Sequence, residues 1–163
     1  MARRKSGAGD LHDENSAEYQ RGMAEMHKQL GPMADAYVKR IKKVAPEFAW
    51  VNVTFPFGEL YTRDTVDMKT RELCTVAALT VQGFSLPQLT IHIDAALRSG
   101  ATRAEVVEII TQMIAYCGFP AATNALMTAE AVFAKHDAAD LKLGPKPKPK
   151  SNSKPTSRKG AKR

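Results

Sequence analysis

Two residues near the middle of the chain, Glu72 and His92, are of the types that proton chemistry uses, and both stand among apolar side chains. Histidine titrates near neutrality, which makes it the side chain best suited to give and take a proton at physiological pH. A carboxyl group against apolar neighbours acts as an acid or base, or orients an imidazole. Spacing by itself favours a plainer reading of Glu72, a helix-edge carboxylate paired with Lys69 or simply solvated, because Glu is common on helix surfaces. It leaves His92 open between a general acid or base and a hydrogen-bonded core residue. Ser85 and Gln88 stand ahead of His92 in the run Ser-Leu-Pro-Gln, the pattern of a capping box with an early proline, so Ser85 is not read as a nucleophile. Arg63, Lys69 and Arg71 surround the start of the Glu72 helix. They form either surface charge or the cations that an anionic substrate requires. Cys74 and Cys117 make no C-x-x-C pair, and no second His, Cys or Asp stands three or four residues from His92. Neither a redox pair nor a metal site is therefore read from the spacing.

The stretch from Lys69 to Phe133 holds most of the apolar residues and must position these groups. Asp67 caps a helix from Met68 to about Gln82, whose stripe is Leu73, Val76, Ala77 and Thr80 and whose stop is Gly83. A helix opened by Ser85 runs to Ser99 and ends at Gly100, with Leu86, Leu89, Ile93 and Leu97 on its apolar face. Thr102 to Glu105 is a second capping box, and Val106, Ile110, Met113, Ile114 and Cys117 carry that helix to Gly118. Pro120 starts the next, with Ala122, Ala125, Leu126, Ala129, Val132 and Phe133 as a stripe small enough for close packing. Upstream, a helix from Ser16 breaks at Gly31-Pro32 and a second ends before Pro46. Pro46 to Tyr61 is aromatic-rich and reads as a short helix followed by a loop. The expectation is an all-α domain over residues 16–140, of about six helices, in which everything before Lys69 looks like a lead-in to the central stretch.

The formal charge of +7 points to a polyanion until its distribution is considered. Eleven of the 24 basic residues lie in residues 1–9 and 144–163, where no acid occurs, leaving 13 basic against 17 acidic residues and a net of −4 between them. Residues 1–15 and the Lys/Pro-rich 141–163 are expected to be disordered. The tail lacks aromatic stacking residues and a recognition helix, so nucleic-acid contact through it ranks as a minor expectation. With two Cys, no apolar core behind the basic N-terminus and no run of about 20 apolar residues, the chain reads as a soluble, cytoplasmic protein with no membrane partner.

These residues resemble a known family. The segments Tyr61-Thr62-Arg63, Lys69-Thr70-Arg71-Glu72-Leu73, Gln88-Leu89 with His92 and Ala95-Ala96-Leu97, Gly100 to Val106, Ala115 to Ala122 and Ala129 to Phe133 are together similar to the carboxymuconolactone decarboxylase family, allied to the alkylhydroperoxidase D-like proteins. The resemblance spans about residues 20–136. It implies a compact all-helical subunit that forms a homotrimer or homohexamer and acts on a small acidic molecule. The founding activity is loss of CO2 from 4-carboxymuconolactone, giving 3-oxoadipate enol-lactone in the breakdown of aromatic compounds. The lactone accepts the electrons itself, so no cofactor is implied. On this resemblance His92 is the proton donor or oxyanion stabiliser and Glu72 its orienting or proton-shuttling partner. Arg63 or Arg71 anchors a second carboxylate, and Ser85 and Gln88 stand with them as candidate substrate contacts. The peroxidase branch carries cysteines where this chain has Ser85 and Gln88, which speaks against thiol peroxidase or peroxiredoxin chemistry.

Overall fold

The computed structural model describes residues 12–143, and the expectations for the two basic ends fall outside them for residues 1–11 and 144–163. The described chain is all-α, with seven helices and one π-helical segment. α1 (Ala17–Leu30) starts where the Ser16 hydroxyl accepts the Tyr19 N–H, and it stops at Gly31, whose φ of 56° favours glycine. α2 (Met33–Lys42) and α3 (Pro46–Asn52) follow. The loop expected next is instead a π-helical segment over Val53–Leu60, closed by the Tyr61 N–H donating to Pro56 O at 2.9 Å. A proline inside an α-helix has no N–H to donate and crowds the preceding turn. Widening the turn lets the chain pass Pro56 without leaving helical form.

The central helices follow their punctuation. α4 (Met68–Gln82) begins with Asp67 accepting the Thr70 N–H at 3.0 Å and ends at Gly83, φ 73°. α5 (Leu86–Arg98) opens on Ser85, but the expected capping box does not form. The Ser85 hydroxyl donates to Gln82 Oε1 instead, at 2.7 Å. α6 (Arg103–Gln112) carries the second capping box complete, with Thr102 and Glu105 bonded reciprocally. It ends several residues short of the expected Gly118 stop, and α7 (Ile114–Leu143) begins at once. The helical path of α7 is interrupted at Gly118, φ 75°, just before Pro120, where the sequence places its break.

Two apolar clusters result. Val76, Leu89, Ile93, Val106, Ile110 and the small residues Ala122, Ala125 and Ala129 join α4 to α7. Tyr19, Met26, Ala34, Val38, Val53 and Phe57 join α1, α2 and the π-helical segment. The second cluster depends on a close backbone crossing, since a Cβ at Gly22 would stand 2.3 Å from Val53 O. The residues ahead of α4 are thus half of the fold rather than a lead-in.

Lys69 ties α4 to α6 by donating to Glu105 Oε1 at 2.8 Å. That bond, with the Thr102 donors, lowers the Glu105 carboxyl from 4.5 to about 2. A carboxyl depressed by folding contributes stability above its unfolded value, lost as pH falls through the folded one. The stability difference between wild type and Glu105→Gln should therefore be complete above pH 4.5 and gone by about pH 2. Thermal melting across that range measures it; a constant difference would contradict the assignment.

Candidate active site

Glu72 is wholly buried, on the same face of α4 as Val76 and Thr80 at one and two further turns. It is neither at a solvated edge nor paired with Lys69, whose ammonium goes to Glu105. Its Oε2 lies 2.7 Å from His92 Nδ1. α4 and α5 are consecutive helices folded back at Gly83, and this places a carboxylate and an imidazole twenty residues apart in contact. With Glu72 as the acceptor, the bonded tautomer carries its hydrogen on Nδ1 and leaves Nε2 for the adjoining space. The His92 side chain is 23% exposed, enough for a ligand to reach it.

That space is a cavity of about 210 Å³ at the seam between the two apolar clusters. The central helices contribute Glu72, Gln88, Ile91, His92 and Ala95. The N-terminal half contributes Gln29 and Leu30 from the end of α1, Tyr37 from α2, and Asn52, Pro56, Phe57 and Tyr61 from α3 and the π-helical segment. The lining is apolar in bulk with a few polar groups, the usual make-up of a small-molecule site. Two of the lining residues carry a buried acceptor, Glu72 Oε1 and Asn52 Oδ1, with no hydrogen-bond partner among the described residues. A buried acceptor left unpaired costs about 1–3 kcal/mol.

Tyr37 and Tyr61 are the cavity's phenols, and Tyr61 is the one on which Glu72 acts. Burial raises it above 10.0, the Glu72 carboxylate raises it further, and the Thr75 hydroxyl and Arg71 oppose them. It stays protonated at neutral pH and has a hydrogen to donate.

The structure brings together three of the residues singled out from sequence, Glu72, His92 and Gln88. Arg63, Arg71 and Ser85 do not line the cavity. Arg63 pairs with Glu59 at 2.7 Å, and Arg71 donates to the Val66 and Arg63 carbonyls at 2.9 and 3.2 Å. Cys74 is exposed, and the half-buried Cys117 thiol donates to Met113 O at 3.1 Å. Neither thiol reaches the cavity. His136, which the sequence places in polar surroundings of no evident use, meets Asp94 at 2.7 Å. Sequence reasoning missed Gln29, Tyr37, Asn52 and Tyr61 as cavity residues. Only the clustering of aromatics between Pro46 and Tyr61 signals that wall.

The described residues form an all-helical fold that holds a buried carboxylate against a half-buried imidazole on the wall of a small, mostly apolar cavity. Residues 46–131 match the carboxymuconolactone decarboxylase family, and the chain belongs to it. It is 36% identical over 115 residues to an uncharacterized 15.0 kDa protein in the nqo9–nqo10 intergenic region of Paracoccus denitrificans, covering 69% of this chain and 86% of that protein. It is 35% identical over 79 residues to the 4-carboxymuconolactone decarboxylase of Acinetobacter baylyi, covering 48% of this chain and 58% of that enzyme.

The order of causes on Tyr61 yields a prediction. Glu72→Gln removes a negative charge beside the phenol, so Tyr61 should titrate lower than in wild type. Ring-proton NMR through alkaline pH follows it. An unchanged or higher Tyr61 titration in Glu72→Gln would mean that the carboxylate does not act on the phenol.

Proposed function

We propose that the protein is a cofactor-free carbon–carbon lyase that decarboxylates a small carboxylated lactone, 4-carboxymuconolactone or a related acid. The Glu72–His92 pair on the cavity wall carries this reading. Loss of CO2 from such a lactone sends an electron pair through the ring double bond to the lactone carbonyl, and a proton must then reach carbon. The enzyme's part is to hold the leaving carboxylate in an apolar setting, stabilise the developing oxyanion and deliver the proton. In this scheme Glu72 fixes the imidazole and keeps the hydrogen on Nδ1, and Nε2, having first taken a proton from solvent, gives it to the substrate carbon and returns to the neutral ring. The Tyr61 hydroxyl donates to the oxyanion, and Gln29, Asn52 and Gln88 orient the ring substituents. Arg63 and Arg71, expected to anchor a second carboxylate, lie outside the lining, so within one subunit orientation falls to the neutral polar groups.

The hydroperoxidase alternative has less support. It needs electrons from a reactive thiol, and the cavity lining contains none. Purified protein given 4-carboxymuconolactone should release CO2, and His92→Asn should lower the rate by about 100-fold or more. No release by wild type would overturn the substrate, and full activity in His92→Asn would overturn the role of His92.

We further propose that the subunit assembles with copies of itself as a trimer or hexamer. Phe84, Tyr116, Phe119 and Met127 are 80, 71, 71 and 64% exposed, more large apolar surface than a lone small domain usually leaves in water. Gly83 lies against Ala121, which brings the turn bearing Phe84 to the start of α7. Sedimentation equilibrium should give three or six subunits, with Phe84→Glu shifting the protein toward monomer. A wild-type monomer at micromolar concentration would contradict assembly.

A further inference from the structure

A second cavity, of about 280 Å³, lies beside the first. Leu30, Tyr37 and Ile91 wall both, so a partition of three side chains separates them. Helical geometry explains the division. On α5, Gln88, His92 and Ala95 turn toward one cavity and Thr90, Asp94 and Arg98 toward the other, with Ile91 between the two faces. The far wall is α7, through Val132, Lys135 and His136.

The body of this cavity is apolar, and its charges come from four residues, Asp94, Arg98, Lys135 and His136. Asp94 Oδ1 meets His136 Nε2 at 2.7 Å, and its Oδ2 accepts from Arg98. Arg98 is also held against the α1–α2 turn, where a Cβ at Gly31 would stand 3.4 Å from its Nη1. One carboxylate thus faces two permanent cations and an imidazole. Arg98 offsets Asp94, while Lys135 joins no ion pair among the described residues. The cavity carries a net positive charge beside an apolar chamber.

We propose that this second cavity binds a small organic anion with an apolar body, a carboxylate of about the size of benzoate. Its ring lies against Met33, Tyr37 and Val132 and its carboxylate meets Lys135, Arg98 and His136. An anion answers the excess positive charge, and an apolar body displaces poorly held water from the chamber. A fully polar anion would leave the chamber unfilled, and a neutral ring would leave Lys135 without a partner. None of these charged groups belongs to the Glu72–His92 cavity, so the assignment stands whether or not the decarboxylase reading does.

Titration of the full chain with sodium benzoate, followed by methyl NMR, tests this. Met33 and Val132 line the second cavity and not the first, so their methyl signals report on it alone. They should shift saturably with benzoate. Benzyl alcohol, of similar shape but uncharged, should bind about 10-fold more weakly or worse. Lys135 is exposed, and Lys135→Gln should weaken benzoate about 10-fold while leaving benzyl alcohol unchanged. Absent or non-saturating shifts at Met33 and Val132, equal affinity for the alcohol, or no effect of Lys135→Gln would each overturn the proposal. So would shifts confined to the His92 ring, which would seat benzoate in the first cavity.

Discussion

The hydrogen bond between Glu72 and His92 crosses from α4 to α5 inside the protein, and the surrounding structure serves to hold it. A carboxylate with no solvent exposure has given up its hydration, at an effective cost of several kcal/mol. Its Oε2 regains part of that from the imidazole, while Oε1 stays unpaired among the described residues. Two apolar side chains of similar volume would pack the same space at least as well. The pair is therefore a poor explanation of stability and a good one of chemistry, since unsatisfied buried groups beside a cavity concentrate at working sites. The price is met elsewhere by ordinary means: caps at Asp67 and Thr102, a left-handed Gly83, and an alanine stripe on α7 that brings the helices close.

The cavity exists because two apolar clusters meet without merging. The central helices present Glu72 and His92, but alone they would present them to water. Gln29, Leu30, Tyr37 and the segment from Asn52 to Tyr61 close the opposite side. The π-helical turn is the local device that makes this wall. It passes Pro56 and places Phe57 and Tyr61 on the cavity, with their rings edge to face at 5.3 Å. The tight crossing of α1 over that segment at Gly22 fixes where the wall stands. Tyr61 is thereby brought near Glu72, and burial together with that negative charge keeps its proton on.

The legible parts of the sequence were those governed by local rules. Asp67, Gly83, the Thr102–Glu105 box and the Gly118-Pro120 break each mark a feature of the backbone where they stand. Local rules misled where the decisive partner was distant. Glu72 looked like an edge residue because Lys69 lies one turn away, yet it falls in line with Val76 and Thr80, and its partner arrives from the next helix. Ser85 had the letters of a capping box, but its hydroxyl turns back to Gln82 across the tight α4–α5 connection. The stretch from Pro46 to Tyr61 defeated periodicity, because a π-helix matches neither the strand nor the α-helix repeat and proline normally signals a stop. A lead-in and a cavity wall look alike in sequence when the wall contributes scattered side chains from several helices.

One scaffold can host different chemistries, and residue types at a few positions choose among them. Reduction of a peroxide consumes two electrons, which a dithiol supplies on becoming a disulfide. At the resembling positions this chain has Ser85, whose hydroxyl is spent on Gln82, and Gln88 at the cavity edge, and neither side chain can be oxidised in that way. Cys74 and Cys117 stand outside the lining. What these positions retain are groups that move protons and accept hydrogen bonds: an imidazole fixed by a buried carboxylate, a phenol that keeps its hydrogen, and amides that orient. For a peroxide bond such a set offers protons and no electrons. On the reading proposed above, it serves a substrate that carries its own electron sink and needs only to be held dry, relieved of charge and given a proton.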